Sequence, residues 1–367
     1  MPSSATDWVA SLSPWPEEFG LERMHALLVE LGNPEREFPA IHVVGTNGKS
    51  TTTRLTAAVL AGEGLIAGAY TSPHVASWSE RIRVGGNEAD FERAVERIRP
   101  TAERVGATQF EALTAAAFAE FAAADVEVAV VEAGLGGRLD ATNVLDAGIV
   151  VVTNVALDHT DVLGATREEI AAEKLAVITT GATVILGEPE WAEAAHERGA
   201  ALVEIAAGSS VALAVSAAQA FLGRPVDAAP AGGVRLPGRL ERRSERPLEI
   251  WDGAHNLAGI GWLLARVPAR RYVVVASILT DKDAERMLAA LSALGDTFVA
   301  TRSSNARSLA ADDLAALAEG RFGSVEAVAD PADAVARARQ LAGPEGAVLV
   351  TGSLYLLADL HPRERVR

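Results

Sequence analysis

Short apolar runs alternate along the chain with longer stretches in which alanine and leucine recur at helical spacing. Residues 41–44, 66–70, 126–131 and 149–152 are largely apolar, with β-branched enrichment clearest in the later runs. This pattern predicts strands covered on both faces. Between them, residues 50–62, 91–105 and 113–124 predict helices. The alternation predicts a doubly wound, mostly parallel α/β domain. A second series follows, with strands expected at 248–251, 272–276, 297–300 and 347–350 and helices at 259–267 and 284–293. Residues 223–238 hold three prolines and four glycines, a linker composition. Two domains are therefore expected, 1–224 and a smaller Rossmann-like α/β domain, 225–367. Residues 200–216 are alanine-rich and carry no clear pattern.

Composition narrows the function. The chain has 367 residues, 49% hydrophobic and 22% charged, with a formal net charge of −16. That balance fits a folded chain and argues against nucleic acid as a partner, since phosphate contacts need a basic surface. No apolar run reaches the roughly 18–20 residues that cross a bilayer, and residues 1–10 lack the basic start and apolar core of an export signal. A cytoplasmic protein without a membrane partner is expected. There is no cysteine, which excludes disulfides, thiolate metal sites and a cysteine nucleophile. Of 33 basic residues only three are lysine: Lys49, Lys174 and Lys282. Each is a place to ask what a compact ammonium or a titratable amine does that a guanidinium cannot.

The first expected strand runs into Gly45-Thr46-Asn47-Gly48-Lys49-Ser50-Thr51 and then a helix. Glycines allow the tight turn, backbone amides line an anion-binding concavity, and the helix N-terminus is electropositive. Lys49 would reach terminal phosphates, and Ser50 or Thr51 would offer a hydroxyl to phosphate or Mg²⁺. Val43 stands where the usual P-loop has its first glycine, so the loop is a variant. A turn that binds nothing is the alternative. In an open parallel sheet ligands bind beyond the carboxyl ends of the strands. The residues that follow the other strands, Ser72, Glu132 and His159 among them, should share this site. Their oxygen and imidazole donors suit a divalent cation. Taken singly, Ser72 reads as a turn residue and His159 as a hydrogen-bonder at a helix start. Lys174 is placed in a helix first turn, where a solvated lysine is the ordinary reading. An amine, unlike a guanidinium, can become a carbamate and so an anionic metal ligand.

Together these residues resemble the folylpolyglutamate synthase/dihydrofolate synthase family of the Mur ligase superfamily. The resemblance rests on residues 21–33 leading into 41–49, Tyr70-Thr71-Ser72-Pro73-His74 with Glu80–Val84, and Phe110–Thr114. It continues through Glu132–Asn143 with Leu157–Thr160, Pro237–Glu241, Asp252–Asn256 and Thr351–Tyr355. It implies an ATP-dependent ligase that joins L-glutamate to dihydropteroate or a reduced folate through an acyl phosphate. The N-terminal domain would hold ATP and the folate-type substrate, and the C-terminal domain would close over them. Asn47, Gly48, Lys49, Ser50 and Thr51 would bind phosphate. Ser72, Glu132 and His159 would hold Mg²⁺, and a carbamylated Lys174 a second metal. Arg239 and Asp252 would reach ATP. Thr114 and Asp140 would face the pterin, His255 would lie near the chemistry, and Lys282 falls in a matching segment without a derivable role. A monomer is expected.

Two departures stand out. Ser50 occupies a position commonly glycine in the family. Residues 200–216 are shorter than the usual segment, and no asparagine occurs between Asn154 and Asn256 where the family supplies one to ATP. A Mur-type amide ligase for another carboxylate and a nucleotide-binding pseudo-enzyme are the alternative readings.

Overall fold

The structure, a computed structural model, describes residues 4–16 and 18–361. Contacts divide it into two units: residues 1–74 with 78–234, and 75–77 with 235–367. No helix among the described residues is long and apolar enough to cross a membrane.

The first unit is built on β1 (Ala40–Val44), β2 (Ala67–Tyr70), β3 (Ile82–Val84), β4 (Asn87–Glu88), β5 (Val128–Glu132), β6 (Ile149–Val152), β7 (Thr183–Leu186) and β8 (Leu202–Ile205). Their order is β4-β3-β2-β5-β1-β6-β7-β8. Only the β2-β3-β4 edge is antiparallel; β1 pairs in parallel with β5 on one side and β6 on the other. Side chains alternate between the faces, and both faces are buried. Ile41, Val43, Val128, Val130, Ile149 and Val151 pack under the helices Lys49–Gly62 and Ser210–Leu222. Ala129 and Val131 meet the helices on the opposite face, where Val44, Val150 and Val152 join the helix Arg167–Leu175. That double cover is why the strand runs read as continuously apolar. The helix Gln109–Ala123 starts at a capping box in which Thr108 and Glu111 serve each other's backbone, a device worth about 1 kcal/mol.

The second unit contains β9 (Glu241–Glu245), β10 (Leu248–Trp251), β11 (Val273–Ala276), β12 (Thr297–Ala300), β13 (Ser324–Ala327) and β14 (Ala347–Thr351), in the order β13-β12-β11-β14-β10-β9. All pairs are parallel except the β9–β10 hairpin. Ile250, Val274, Phe298 and Leu349 fill one face, and Trp251, Val275, Val299 and Val350 the other.

The fold class is as expected, and so are the positions of most central strands. The expected set lacks β7, although Val184-Ile185-Leu186 is apolar, and lacks β3, β4, β8, β9 and β13. All five are short or partly exposed; β4, β8, β9 and β13 are sheet edges, and an edge position removes the apolar signal that a covered strand carries. Residues 200–216 resolve into β8 and the start of the helix Ser210–Leu222, which Ser209 caps through Ala212 N–H.

Candidate active site

At the carboxyl ends of β1, β5 and β6 the backbone itself shapes the loop at 45–48. Val43 O accepts from Ala133 N–H, and Val44 O from Thr153 N–H. The chain then turns through Gly45 (φ 146°) and Gly48 (φ 81°) into the helix that begins at Lys49. A Cβ on Gly45 would stand 1.9 Å from Thr153 Oγ1, so only glycine fits. Thr153 Oγ1 donates to Asn47 O at 2.7 Å, and Asn154 Oδ1 accepts from Asn47 N–H at 2.8 Å. Thr46 is fastened to Ala156 through both its hydroxyl proton and a lone pair. The two residues after β6 therefore hold the loop in shape. The strand-end rule points to them, but no residue type announces the bracing role.

Glu132, the last residue of β5, is 1% exposed. Its Oε1 accepts from Ser50 Oγ at 3.0 Å and its Oε2 from Ser72 N–H at 3.0 Å. One carboxylate thus joins the ends of β2 and β5 to the helix after β1, which satisfies the demand of a buried acid for partners. The hydroxyl of Ser50 is directed at Glu132, while Thr51 is half-buried. Lys49 Nζ donates back to Gly45 O at 3.1 Å and Thr46 O at 3.3 Å.

Lys174 corrects the sequence reading. It lies in the last turn of the helix Arg167–Leu175, not the first, and is 3% exposed. Its Nζ donates to Gly45 O at 2.9 Å, so it shares one carbonyl with Lys49. Burial, and next the nearby Lys49 charge, bring its pKa down to about 7. The neutral amine is then well populated near neutral pH. The neighbours Glu168, Glu169 and Glu173 make the segment look solvated, and only tertiary packing reveals otherwise.

His159 caps the short helix Thr160–Leu163 in a left-handed conformation (φ 50°), and its N–H donates to Asp158 Oδ1 at 3.0 Å. Among the described residues no group of three or more His, Asp or Glu side chains forms a metal cage. A cation here would rest on the mixed set of Glu132, serine hydroxyls and an imidazole.

The glycine-rich loop after β5 is fixed from within. Asp140 Oδ2 accepts from Leu135 N–H, and Oδ1 accepts from the N–H and hydroxyl of Thr142. Burial raises the Asp140 pKa. A Cβ on Gly137 would meet Glu173 O at 2.7 Å, so the loop lies directly on the end of the Lys174 helix. Thr114 is fully buried; its hydroxyl donates to Phe110 O at 2.8 Å and meets Tyr70 OH at 3.2 Å.

In the second unit, Asp252 follows β10 and accepts from Leu240 N–H and Ala254 N–H, each at 2.9 Å. Burial raises its pKa. Arg239 donates to Gly238 O at 3.1 Å, and His255 Nδ1 lies 2.8 Å from Gly253 O. Lys282 pairs with Asp281 at 3.2 Å.

The family models for the Mur ligase middle domain and the Mur ligase glutamate ligase domain match residues 43–218 and 238–354. The curated dihydrofolate synthase/folylpolyglutamate synthase of Mycobacterium tuberculosis is 35% identical, over 84% of this chain and 80% of that protein. A solved structure of Escherichia coli FolC in complex with DHPP and ADP is 32% identical and superposes with a TM-score of 0.88, covering 98% of this chain and 97% of that one. A bifunctional folylpolyglutamate synthase/dihydrofolate synthase with Mn, AMPPNP and L-glutamate bound is also 32% identical, with a TM-score of 0.85 over 98% and 97% of the two chains. The chain belongs to the dihydrofolate synthase/folylpolyglutamate synthase family.

Proposed function

We propose that the chain is an ATP-dependent ligase that joins L-glutamate to dihydropteroate, a reduced folate, or both, releasing ADP and phosphate. One observation carries most of this reading: Lys49 and Lys174 both donate to Gly45 O of the loop, while Glu132 joins the hydroxyl of Ser50, just after the loop, to the N–H of Ser72. A carboxylate is a poor acyl donor at neutral pH, and accepting the γ-phosphoryl group of ATP makes it an acyl phosphate. The amine of glutamate then attacks, and phosphate leaves. That chemistry needs positioning and charge neutralisation more than covalent help from the protein.

We assign phosphate binding to Asn47, Gly48, Lys49, Ser50 and Thr51. Divalent metal, Mg²⁺ in the cell, is assigned to Ser72, Glu132 and His159, with Lys174 as the carbamylated ligand of a second ion. The hard oxygens of Glu132 and the serines fit such a cation, as does a lysine whose amine is neutral near pH 7. A bound cation supplies neutralisation of charge on the phosphates. Residues 1–224 are assigned to ATP and the folate-type acceptor, with Thr114 and Asp140 in the segments nearest the pterin. Thr114 is fully buried and Asp140 is engaged by its own loop, so both fit a role through neighbouring groups. Residues 225–367 contribute Arg239 and Asp252 toward the nucleotide, and His255 near the chemistry. We expect a cytoplasmic monomer without nucleic-acid or membrane partners.

The test is ADP release with ATP and Mg²⁺, comparing dihydropteroate with tetrahydrofolate, each with and without L-glutamate. Absence of glutamate-dependent release with both acceptors would refute the reading.

A further inference from the structure

We propose that His42 is a positioning residue that sets the glycine-rich loop 134–140, and through it the affinity for the folate-type acceptor. The second half of this inference rests on the ligase reading above. His42 is the one polar side chain of β1 and is fully buried among apolar neighbours. Its Nε2 lies 2.8 Å from Thr142 Oγ1, and Thr142 Oγ1 lies 2.5 Å from Asp140 Oδ1. Both Asp140 oxygens accept backbone N–H groups, Leu135 on Oδ2 and Thr142 on Oδ1, so the carboxyl group is the acceptor here and the Thr142 hydroxyl donates to it. The hydroxyl must then accept from His42, which fixes the imidazole as the Nε2–H tautomer. His42 Nδ1 is left buried with no hydrogen-bond partner. Packing alone would be better served by an apolar residue than by an imidazole with one nitrogen unsatisfied.

What the imidazole gains is a relay with a direction. It runs from the central strand through Thr142 to Asp140, whose other oxygen holds Leu135 N–H at 2.8 Å. Burial keeps His42 neutral, with a pKa pushed down to about 4, so the relay keeps its polarity across the physiological range. Its output is the loop that begins at Gly134. A Cβ on Gly134 would stand 2.6 Å from Phe110, and Phe110 lies 6.1 Å from Tyr70, ring centre to ring centre. The relay therefore sets the height of the loop against the aromatic pair Phe110 and Tyr70.

The experiment compares His42→Leu, His42→Gln and Thr142→Val by steady-state kinetics and by hydrogen–deuterium exchange over residues 134–143. His42→Leu and Thr142→Val are expected to raise KM for the acceptor about ten-fold, the effect of losing one buried relay bond. KM for ATP and kcat should stay near the parent values, and loop amides should exchange faster. Gln places its amide N–H where Nε2–H stood, so His42→Gln should restore both readouts. If His42→Leu does not fold, Thr142→Val decides from the loop side. Unchanged exchange and unchanged acceptor KM would overturn the proposal, as would a Gln variant as impaired as Leu. A parent chain without glutamate-dependent turnover would refute the ligase reading alone, because exchange over the loop still tests the relay.

Discussion

Replacing Gly45 by alanine is expected to be strongly destabilising. The new Cβ would stand 1.9 Å from Thr153 Oγ1 and 3.1 Å from Thr153 Cβ and N. Thr153 cannot turn away freely, because its hydroxyl holds Asn47 O at 2.7 Å. Overpacking of a tight site costs about 1–3 kcal/mol. A positive φ of 146°, tolerated by glycine, adds about 1–3 kcal/mol for a residue with a side chain. Loss of the Thr153–Asn47 bond adds about 1 kcal/mol. The total of about 3–7 kcal/mol should lower Tm by about 10–20 °C. ADP affinity, measured by titration calorimetry, should fall more than ten-fold, because the amides that form the anion pocket move with the loop. Thr153→Ala removes the nearest clashing atom, so the double variant should be more stable than additivity predicts by more than about 1 kcal/mol. A Gly45→Ala protein with parental Tm and ADP affinity would refute the reasoning, as would an additive cycle.

Lys174→Arg should abolish glutamate-dependent ADP release, with no recovery at raised bicarbonate. A guanidinium cannot form a carbamate and does not fit a side chain held 2.9 Å from Gly45 O at 3% exposure; full activity would refute the carbamate assignment. His42 supplies an acid-sensitivity test. Its folded pKa of about 4 lies below the unfolded value of about 6.5. The unfolded chain therefore takes up a proton first, and stability is lost as pH falls from about 6.5 through 4, by up to about 3 kcal/mol. Urea unfolding at pH 7 and pH 5 should show a smaller loss for His42→Gln than for the parent, and equal losses would disprove the assignment.

Much of the site is legible in the sequence because parallel sheets gather residues at one edge. Gly45–Lys49, Ser72 and Glu132 can be placed together from strand order alone. What the sequence cannot show is which hydrogen bond each group makes. Ser50 reads as a phosphate ligand, yet its hydroxyl is occupied by Glu132. Asp140 reads as a residue facing substrate, yet both its oxygens are spent inside its own loop. Lys174 reads as solvated because helix neighbours at adjacent positions are acidic, whereas its side chain is buried and reaches Gly45 O, 129 positions away along the chain. His42 gives one visible signal, a polar residue inside an apolar strand. Its partner lies 100 positions along the chain, beyond any local pattern.

Two lysine amines meet on the carbonyl oxygen of Gly45, one arriving from the helix that follows the loop and one from a helix more than a hundred residues later. A single peptide group is therefore the junction between the phosphate side of the site and the side assigned to metal. Any event that withdraws one amine, whether phosphate drawing Lys49 away or carbon dioxide capping Lys174, changes the field felt by the other at once. The two halves are therefore coupled through one carbonyl, with no moving part larger than a side chain.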